Sequence, residues 1–210
     1  MMTAVCVKSF PSPPLDLSEI RRYAGMHGEE AETEAILRSC LREAEEQLVY
    51  KVCYREFTIS KQGNELDLGF VRTASVDLAK NLEGCDSVLL FAATVGLGID
   101  RLIARYAAVS PTRSLFFQAI GAERIESLCG AFVRYLSTQK ADGGTSLRPR
   151  FSPGYGDLPL QLQADIFAAL DCPRKIGLFL NQSLLMSPTK SVTALVGLTN
   201  NATTKKDQSL

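Results

Sequence analysis

Apolar residues recur at helical spacing over several stretches of the chain. Between Glu29 and Val49, alanine, cysteine and leucine return every three or four positions, while glutamate and arginine fill the other face. This period is typical of an amphipathic helix that packs one face on a core. A short helix is expected to start at Asp16 or Ser18 and to end at Gly25. Further helices are predicted over 75–82, 99–107, 111–138 and 159–170, with a break near Gly121 left open.

Other stretches have the patterns of strands. Residues 52–59 alternate between apolar and polar, and Gly63-Asn64 suggests a turn into a strand over 65–68. Residues 86–94 are almost continuously apolar, which is typical of a central strand buried on both faces. Two late strands are predicted over 176–180 and 192–198. The mixture predicts an α+β fold, with a central antiparallel or mixed sheet flanked by helices.

Composition excludes several classes of protein. The chain has 210 residues, of which 46% are hydrophobic, enough for one globular domain with a sizeable core. Its 23 basic and 23 acidic side chains balance, which argues against nucleic acid as a partner. It has no apolar run of membrane-spanning length and no signal-peptide pattern at its start, so no membrane association and a cytoplasmic location are expected.

The cysteines and the single histidine give little support for metal chemistry. The six cysteines form no C-x-x-C pair, so zinc and iron–sulfur spacings are absent and free thiols are expected. With His27 alone, serine–histidine hydrolases and histidine-rich metal sites are disfavoured as well. We therefore predict no bound metal and no catalytic residue of these classes.

Residues 150–163 are the densest group of specialised residues in the chain. Gly154 and Gly156 flank Tyr155 and allow positive φ angles and a close approach of the backbone to a ligand. Arg150 offers a planar donor fork for a carboxylate, and Asp157 is a candidate cap for the helix over 159–170. The plain alternative is a proline- and glycine-rich turn with a solvated arginine. The length of the pattern favours a loop that holds a small ligand through its backbone.

A second glycine turn, Thr94-Val-Gly-Leu-Gly98, follows the predicted central strand. A strand, a glycine turn and a helix together can surround an anion with N–H groups. This stretch lacks the third glycine of a dinucleotide fingerprint and has no phosphate-loop lysine. We therefore favour a tight connection between strand and helix.

The run Arg150-Phe-Ser-Pro-Gly-Tyr-Gly-Asp-Leu-Pro-Leu-Gln-Leu-Gln163 resembles the signature of the activation (reactivation) domain of cobalamin-dependent methionine synthase, above all its free-standing bacterial form. The resemblance spans about residues 15–198, leaving 1–14 as an N-terminal extension and 199–210 as a polar tail predicted to be disordered. Further matching segments keep the family's order: Phe91–Gly96 with Asp100 and Arg101, Ala119–Glu126 with Leu128 and Cys129, Ile176–Gly177, Asn181–Met186, Pro188–Val192 and Val196–Gly197.

The resemblance implies binding of S-adenosylmethionine and reductive remethylation of oxidised cobalamin. His27 does not fit the Asp-x-His-x-x-Gly pattern of cobalamin-carrying modules. The cobalamin is therefore expected on a partner, a methionine synthase polypeptide that lacks its own activation domain. A flavodoxin-type electron donor is a further expected partner.

The family's ligand-binding positions map onto a few residues of this chain. Arg150 matches the arginine that binds the methionine carboxylate, while Ser152, Gly154 and Tyr155 match loop positions that meet the ligand. Tyr155 is also the residue expected to face the corrin. Glu126 is the candidate for an acidic ligand contact on the preceding helix, with Ser127 as the alternative if the register shifts by one.

The chain also departs from the family pattern. It has no tryptophan, so the Asp-Trp motif whose aspartate meets the ligand amine is absent, and Asp16 and Asp67 are only candidates for that role. A late tyrosine of the family falls near Val196. These departures favour a second hypothesis, a docking module for a corrinoid protein that binds no S-adenosylmethionine. A methyltransferase acting on another acceptor is a weaker third, since no positioned base is evident.

Overall fold

The computed structural model describes residues 4–26, 28, 30–62, 65–141 and 144–200. The helices are α1 (Leu17–Tyr23), α2 (Ala31–Glu45), α3 (Val76–Asn81), α4 (Gly98–Tyr106), α5 (Pro111–Ala141), α6 (Leu162–Leu170) and α7 (Cys172–Ile176). The strands are β1 (Cys6–Ser9), β2 (Lys51–Thr58), β3 (Ser60–Gln62), β4 (Glu65–Asp67), β5 (Arg72–Thr73), β6 (Ser87–Thr94), β7 (Thr145–Leu147), β8 (Phe179–Leu180), β9 (Met186–Ser187) and β10 (Ser191–Asn200).

The main sheet is antiparallel and has the strand order β1-β2-β6-β10-β7. Strand β6 lies in the middle, with Phe91 opposite Tyr54 of β2 on one side and Ala194 of β10 on the other. A three-stranded sheet, β3-β4-β5, and a two-stranded pair, β8-β9, complete the strands. Part of the predicted extension, residues 6–9, forms the edge strand β1.

Two hydrophobic cores lie on opposite faces of this sheet. Leu89, Phe91 and Ala93 of β6 join a core with α1, α2, α4 and α5. Their neighbours Leu90 and Ala92 join a second core with α3, α6 and α7. Because alternate residues of a strand point to opposite faces, burial on both sides requires a continuous apolar run. The prediction of a buried central strand is confirmed, and so is the α+β fold.

Helix α5 is continuous, so a break near Gly121 does not occur. A Cβ at Gly121 would lie 2.8 Å from Cγ of Lys190 and 3.1 Å from Cγ1 of Ile99. The glycine therefore allows the chain before β10 and helix α4 to approach α5 closely.

Some element boundaries differ from those predicted. The helix predicted to reach Val49 ends at Glu45, because Val49 donates its N–H to the carbonyl of Val95 and already follows the sheet. The strand predicted over 176–180 is shorter, since α7 ends at Ile176 and Gly177 takes a φ of 69° before β8. Predictions at residues 27, 63–64, 142–143 and 201–210 lie outside the described residues.

The second glycine turn is a tight connection, as predicted. Gly96 has a φ of 85°, and a Cβ at Gly98 would lie 2.2 Å from the carbonyl oxygen of Gln47. The glycines thus permit α4 to start directly against the chain between α2 and β2. None of the helices within the described ranges is long and apolar enough to cross a membrane.

Candidate functional site

A groove of about 940 Å³ opens beside the residue 150–157 loop. Its walls come from α1, α3, α5, α6, β9, β10 and the loop itself. The lining residues are Tyr23, Asn81, Glu126, Pro149, Arg150, Phe151, Ser152, Pro153, Tyr155, Gln163, Met186, Ser191, Val192 and Thr193. One cavity therefore contains four of the predicted ligand contacts: Glu126, Arg150, Ser152 and Tyr155. Glu126 lies 24 residues before Arg150 in the sequence, and the fold brings the two side chains together.

The loop is fixed to the sheet at one end and closed on itself at the other. Phe151 and Leu195 of β10 exchange both backbone hydrogen bonds, at 2.9 and 2.8 Å. Gly154 and Gly156 have φ angles of 89° and 52°, which confirms the predicted need for glycine. A Cβ at Gly156 would meet the Asp77 carboxylate.

The backbone amides of the loop are less available than predicted. Gly154 donates its N–H to Leu158 at 2.9 Å, and Tyr155 donates to Ser152 at 3.1 Å. These two amides close the turn and do not face a ligand. Among the residues that the structure describes, nothing bonds the N–H or the hydroxyl of Ser152, which lines the groove.

Asp157 does not cap the helix that follows it, which corrects the prediction. Its carboxylate accepts hydrogen bonds from the Ser75 hydroxyl and from the N–H groups of Val76 (2.6 Å) and Asp77 (3.2 Å), at the start of α3. Helix α6 begins at Leu162 without a side-chain cap, after turns in which Leu162 and Gln163 bond residues three positions earlier. The loop is therefore attached to α3, some eighty residues away in sequence.

Arg150 and Glu126 form an ion pair inside the groove. Nη2 of Arg150 donates to Oε2 of Glu126 at 2.8 Å, and the side chains are 32% and 48% exposed. Burial is the largest single influence and acts to lower the pKa of Arg150, but the hydrogen bonds and charges of Glu126 and Cys129 together outweigh it and leave that pKa raised. Burial also raises the pKa of the adjacent Cys129 thiol to about 12, so that thiol stays neutral. Of the five guanidinium donors, the pair with Glu126 uses one.

The structure distinguishes Glu126 from Ser127, the two candidates on α5 for the acidic ligand contact. Ser127 donates its hydroxyl to Glu123 at 2.6 Å and lines a neighbouring cleft of about 660 Å³. Glu126 and Tyr23 line both that cleft and the groove. The position on the groove is therefore Glu126.

The other candidates lie away from the groove. Asp16 caps α1 by accepting from the N–H groups of Ser18 and Glu19, and it lines only the neighbouring cleft. Asp67 pairs with Arg72 in the small sheet. Val196 is fully buried in the core. Of these, Asp16 alone lines the cleft that shares Tyr23 and Glu126 with the groove.

Two polar residues of the groove were missed by the sequence analysis. Oε1 of Gln163 and Oδ1 of Asn81 are buried and have no hydrogen-bond partner in the described part of the chain. Gln163 belongs to the quoted signature, but its spacing indicated only a helix position. Asn81 carries no sequence signal of its own.

Comparisons with known proteins agree with the fold. No family model and no curated protein matches the chain. A solved structure entitled "Crystal Structure of the MetH Reactivation Domain bound to AdoHcy" does match, with a TM-score of 0.64 and 15% sequence identity. The match covers 95% of this chain and 80% of that chain. At this identity the likeness is one of fold: mixed helices and a curled antiparallel sheet, as in the MetH reactivation domain.

Proposed function

We propose that this chain binds S-adenosylmethionine in the groove and supports reductive remethylation of cobalamin held by a separate methionine synthase polypeptide. The observation that carries the proposal is the Arg150–Glu126 pair on the wall of the groove, beside the glycine-rich loop. The solved neighbour contains S-adenosylhomocysteine, the product that remains when S-adenosylmethionine gives up its methyl group.

The charge arrangement suits the amino-acid end of that ligand. An α-amino acid carries an ammonium group and a carboxylate a few ångströms apart. Arg150 can take the carboxylate in its unused donors, and Glu126 can accept from the ammonium. The ligand would thereby replace or share the ion pair between Arg150 and Glu126, so both charges would keep an opposite charge beside them.

Tyr155 supports a partner-facing role for the same loop. Its side chain is 68% exposed although it lines the groove. An exposed phenol ring offers a flat amphipathic face to the planar corrin of a docked protein. The chain's part in the reaction is to bind and orient the methyl donor. The electron comes from an external donor of the flavodoxin type, and the methyl group passes to the reduced cobalt on the partner.

The experiment is a pair of measurements on the purified chain. Isothermal titration with S-adenosylmethionine should give saturable binding at one site per chain. Adding the chain to an oxidised methionine synthase that lacks its activation domain, with S-adenosylmethionine and a reductant, should restore activity. Loss of restoration when S-adenosylmethionine is omitted would link the two results.

The docking module remains the second candidate. It is favoured by the absence of tryptophan from the chain and by Val196, which lies near the position of the family's late tyrosine. That function predicts binding to the corrinoid protein with no heat from S-adenosylmethionine. The titration therefore separates the two candidates.

A further inference from the structure

Two side-chain amides in the groove wall have unpaired oxygens. Gln163, on the first turn of α6, is 7% exposed, and its Oε1 has no hydrogen-bond partner among the described residues. Asn81, at the end of α3, donates through Nδ2 to the carbonyl of Pro149 at 3.2 Å, yet its buried Oδ1 is also unpaired. Buried acceptors without a partner are rare in folded proteins, because their lost hydration is not repaid.

Both residues are well placed to act on a ligand. Each lines the groove that contains Arg150 and Glu126. The carbonyl of Pro149 anchors one edge of the Asn81 amide next to Arg150, and the Asp157 carboxylate holds α3 against the loop. The terminal torsion of Gln163 is soft, so its amide can turn toward a bound molecule with little change elsewhere. Turning the Asn81 amide requires its hydrogen bond to Pro149 to stretch or open.

The chemistry of these oxygens differs from that of the ion pair. A neutral amide oxygen accepts hydrogen bonds from hydroxyl, amine and ammonium donors, and it has no charge with which to attract a carboxylate. The ammonium of the ligand is already matched by the Glu126 carboxylate, so the donors left for the two amides are uncharged ones. The ribose hydroxyls and the adenine amino group of S-adenosylmethionine are such donors, whereas its amino-acid end is charged.

We propose that Gln163 and Asn81 recognise the nucleoside part of the ligand, their side-chain oxygens accepting hydrogen bonds from its hydroxyl and amino groups. The inference rests on the proposed function and adds a specificity role to it. The ion pair selects the amino-acid end, and the two amides select against ligands that lack the nucleoside.

The test uses Gln163→Met and Asn81→Leu, which keep similar volumes but remove the acceptors. The control is Gln118→Met on the exposed face of α5. We expect each groove variant to weaken S-adenosylmethionine binding about tenfold, the scale of one lost hydrogen bond. For Gln163→Met the melting temperature without ligand should stay the same or rise, because an unpaired buried oxygen has been removed. Asn81→Leu also loses the hydrogen bond to the carbonyl of Pro149, so its melting temperature should lie at or below that of the wild type.

A second ligand separates recognition from misfolding. S-methylmethionine has the same sulfonium amino-acid end without the nucleoside, and competition titration gives its affinity relative to S-adenosylmethionine. The preference for S-adenosylmethionine should fall about tenfold in Gln163→Met. Damage to the fold would weaken both ligands alike and leave that preference unchanged.

The preference for S-adenosylmethionine over S-methylmethionine, compared between wild type and variants, decides whether the amides recognise the nucleoside. An unchanged preference in both variants overturns the inference, and the proposed function stands if the wild type still binds S-adenosylmethionine. No binding by the wild type overturns both. A reduced preference in the groove variants, with none in Gln118→Met, supports the nucleoside role.

Discussion

Arg150 carries most of the chemistry assigned to the groove. Its guanidinium is held by Glu126 and backed by the neutral Cys129 thiol, so it is oriented before a ligand arrives. Orientation in advance reduces the side-chain entropy lost on binding. The ion pair also keeps the cation compensated while the groove is empty.

Removing Arg150 should weaken ligand binding specifically. We expect Arg150→Ala to lose about 1.5–3 kcal/mol of S-adenosylmethionine binding free energy, the scale of one charge-assisted hydrogen bond. Isothermal titration measures the loss. Arg174→Ala is the matched control, because Arg174 is 84% exposed and lies outside the groove. Equal affinities for wild type and Arg150→Ala would remove the carboxylate-binding role from this residue.

At the scale of elements, the loop depends on a cap supplied from a distance. Asp157 belongs to the loop but satisfies N–H groups at the start of α3. The hydrogen bond from Ser75 is the main reason that the pKa of Asp157 lies below its ordinary value. The ionised carboxylate therefore stabilises the folded protein and holds the loop in place.

This contact makes stability depend on pH in a definite direction. Because the folded pKa of Asp157 is lowered, its contribution is fully present above the ordinary carboxyl pKa of about 4 and is lost as the pH falls below that value and through the lower folded pKa. Asp157→Ala should lower the melting temperature at neutral pH, and its difference from the wild type should shrink in acid. Thermal melts from neutral pH down to about 3 test this.

Asp165→Ala is the control for these melts, because Asp165 is an exposed carboxylate on α6. This variant should leave the dependence of melting temperature on pH close to that of the wild type. A difference between Asp157→Ala and the wild type that stays constant with pH would show that the carboxylate charge does not matter.

A second connection between elements joins α5 to the N-terminal segment. Arg124 and Glu123 are 3% and 2% exposed and form a two-pronged pair. Arg124 also donates to the carbonyls of Pro13 and Pro14, and Glu123 accepts from the N–H of Asp16. This cluster fixes the chain that leads into α1, which forms one wall of the groove.

Replacing one partner of this pair should be costly. Arg124→Met leaves the Glu123 carboxylate buried without its cation, and we expect a loss of about 3–5 kcal/mol in the free energy of unfolding. Urea unfolding measures it. Combining Arg124→Met with Glu123→Gln should recover part of the loss, because no uncompensated charge remains. A single-variant loss below about 1 kcal/mol would contradict this account of the cluster.

At the scale of the whole molecule, one sheet places the groove at the meeting point of both cores. Helix α5 packs in one core and α6 in the other, and β10 runs between them. Glu126 comes from the first side of the sheet and Gln163 from the second, while the loop joins them. The groove is therefore a product of the complete fold.

The exposed ring of Tyr155 gives a prediction about the partner. Tyr155→Ala should impair reactivation of an oxidised methionine synthase more than it impairs S-adenosylmethionine binding, because the ring is directed outward. Parallel titration and reactivation assays give the two effects. Full reactivation by the variant would remove the corrin-facing role from Tyr155.

Local patterns in the sequence predicted the features that depend on neighbouring residues, such as strand burial and backbone conformation. The apolar run of β6 showed burial on both faces, and Gly154 and Gly156 showed where the loop needs positive φ. The cap that local spacing predicts for Asp157 is on the wrong helix, because the carboxylate bonds Ser75, Val76 and Asp77, and no local pattern shows a contact over that distance in sequence.

For the same reason, the sequence does not reveal the groove residues Asn81 and Gln163. Asn81 has no motif around it, and Gln163 looks like an ordinary helical position until the fold brings both beside Arg150. An unpaired buried oxygen is a tertiary property, so only the structure could reveal it.

The most direct test of the account is a crystal structure of the chain with S-adenosylhomocysteine. We expect the ligand in the groove, its carboxylate within hydrogen-bond distance of Arg150, and the pair with Glu126 shared or opened. An empty groove at saturating ligand, with Arg150 and Glu126 still bonded to each other, would contradict the central claim.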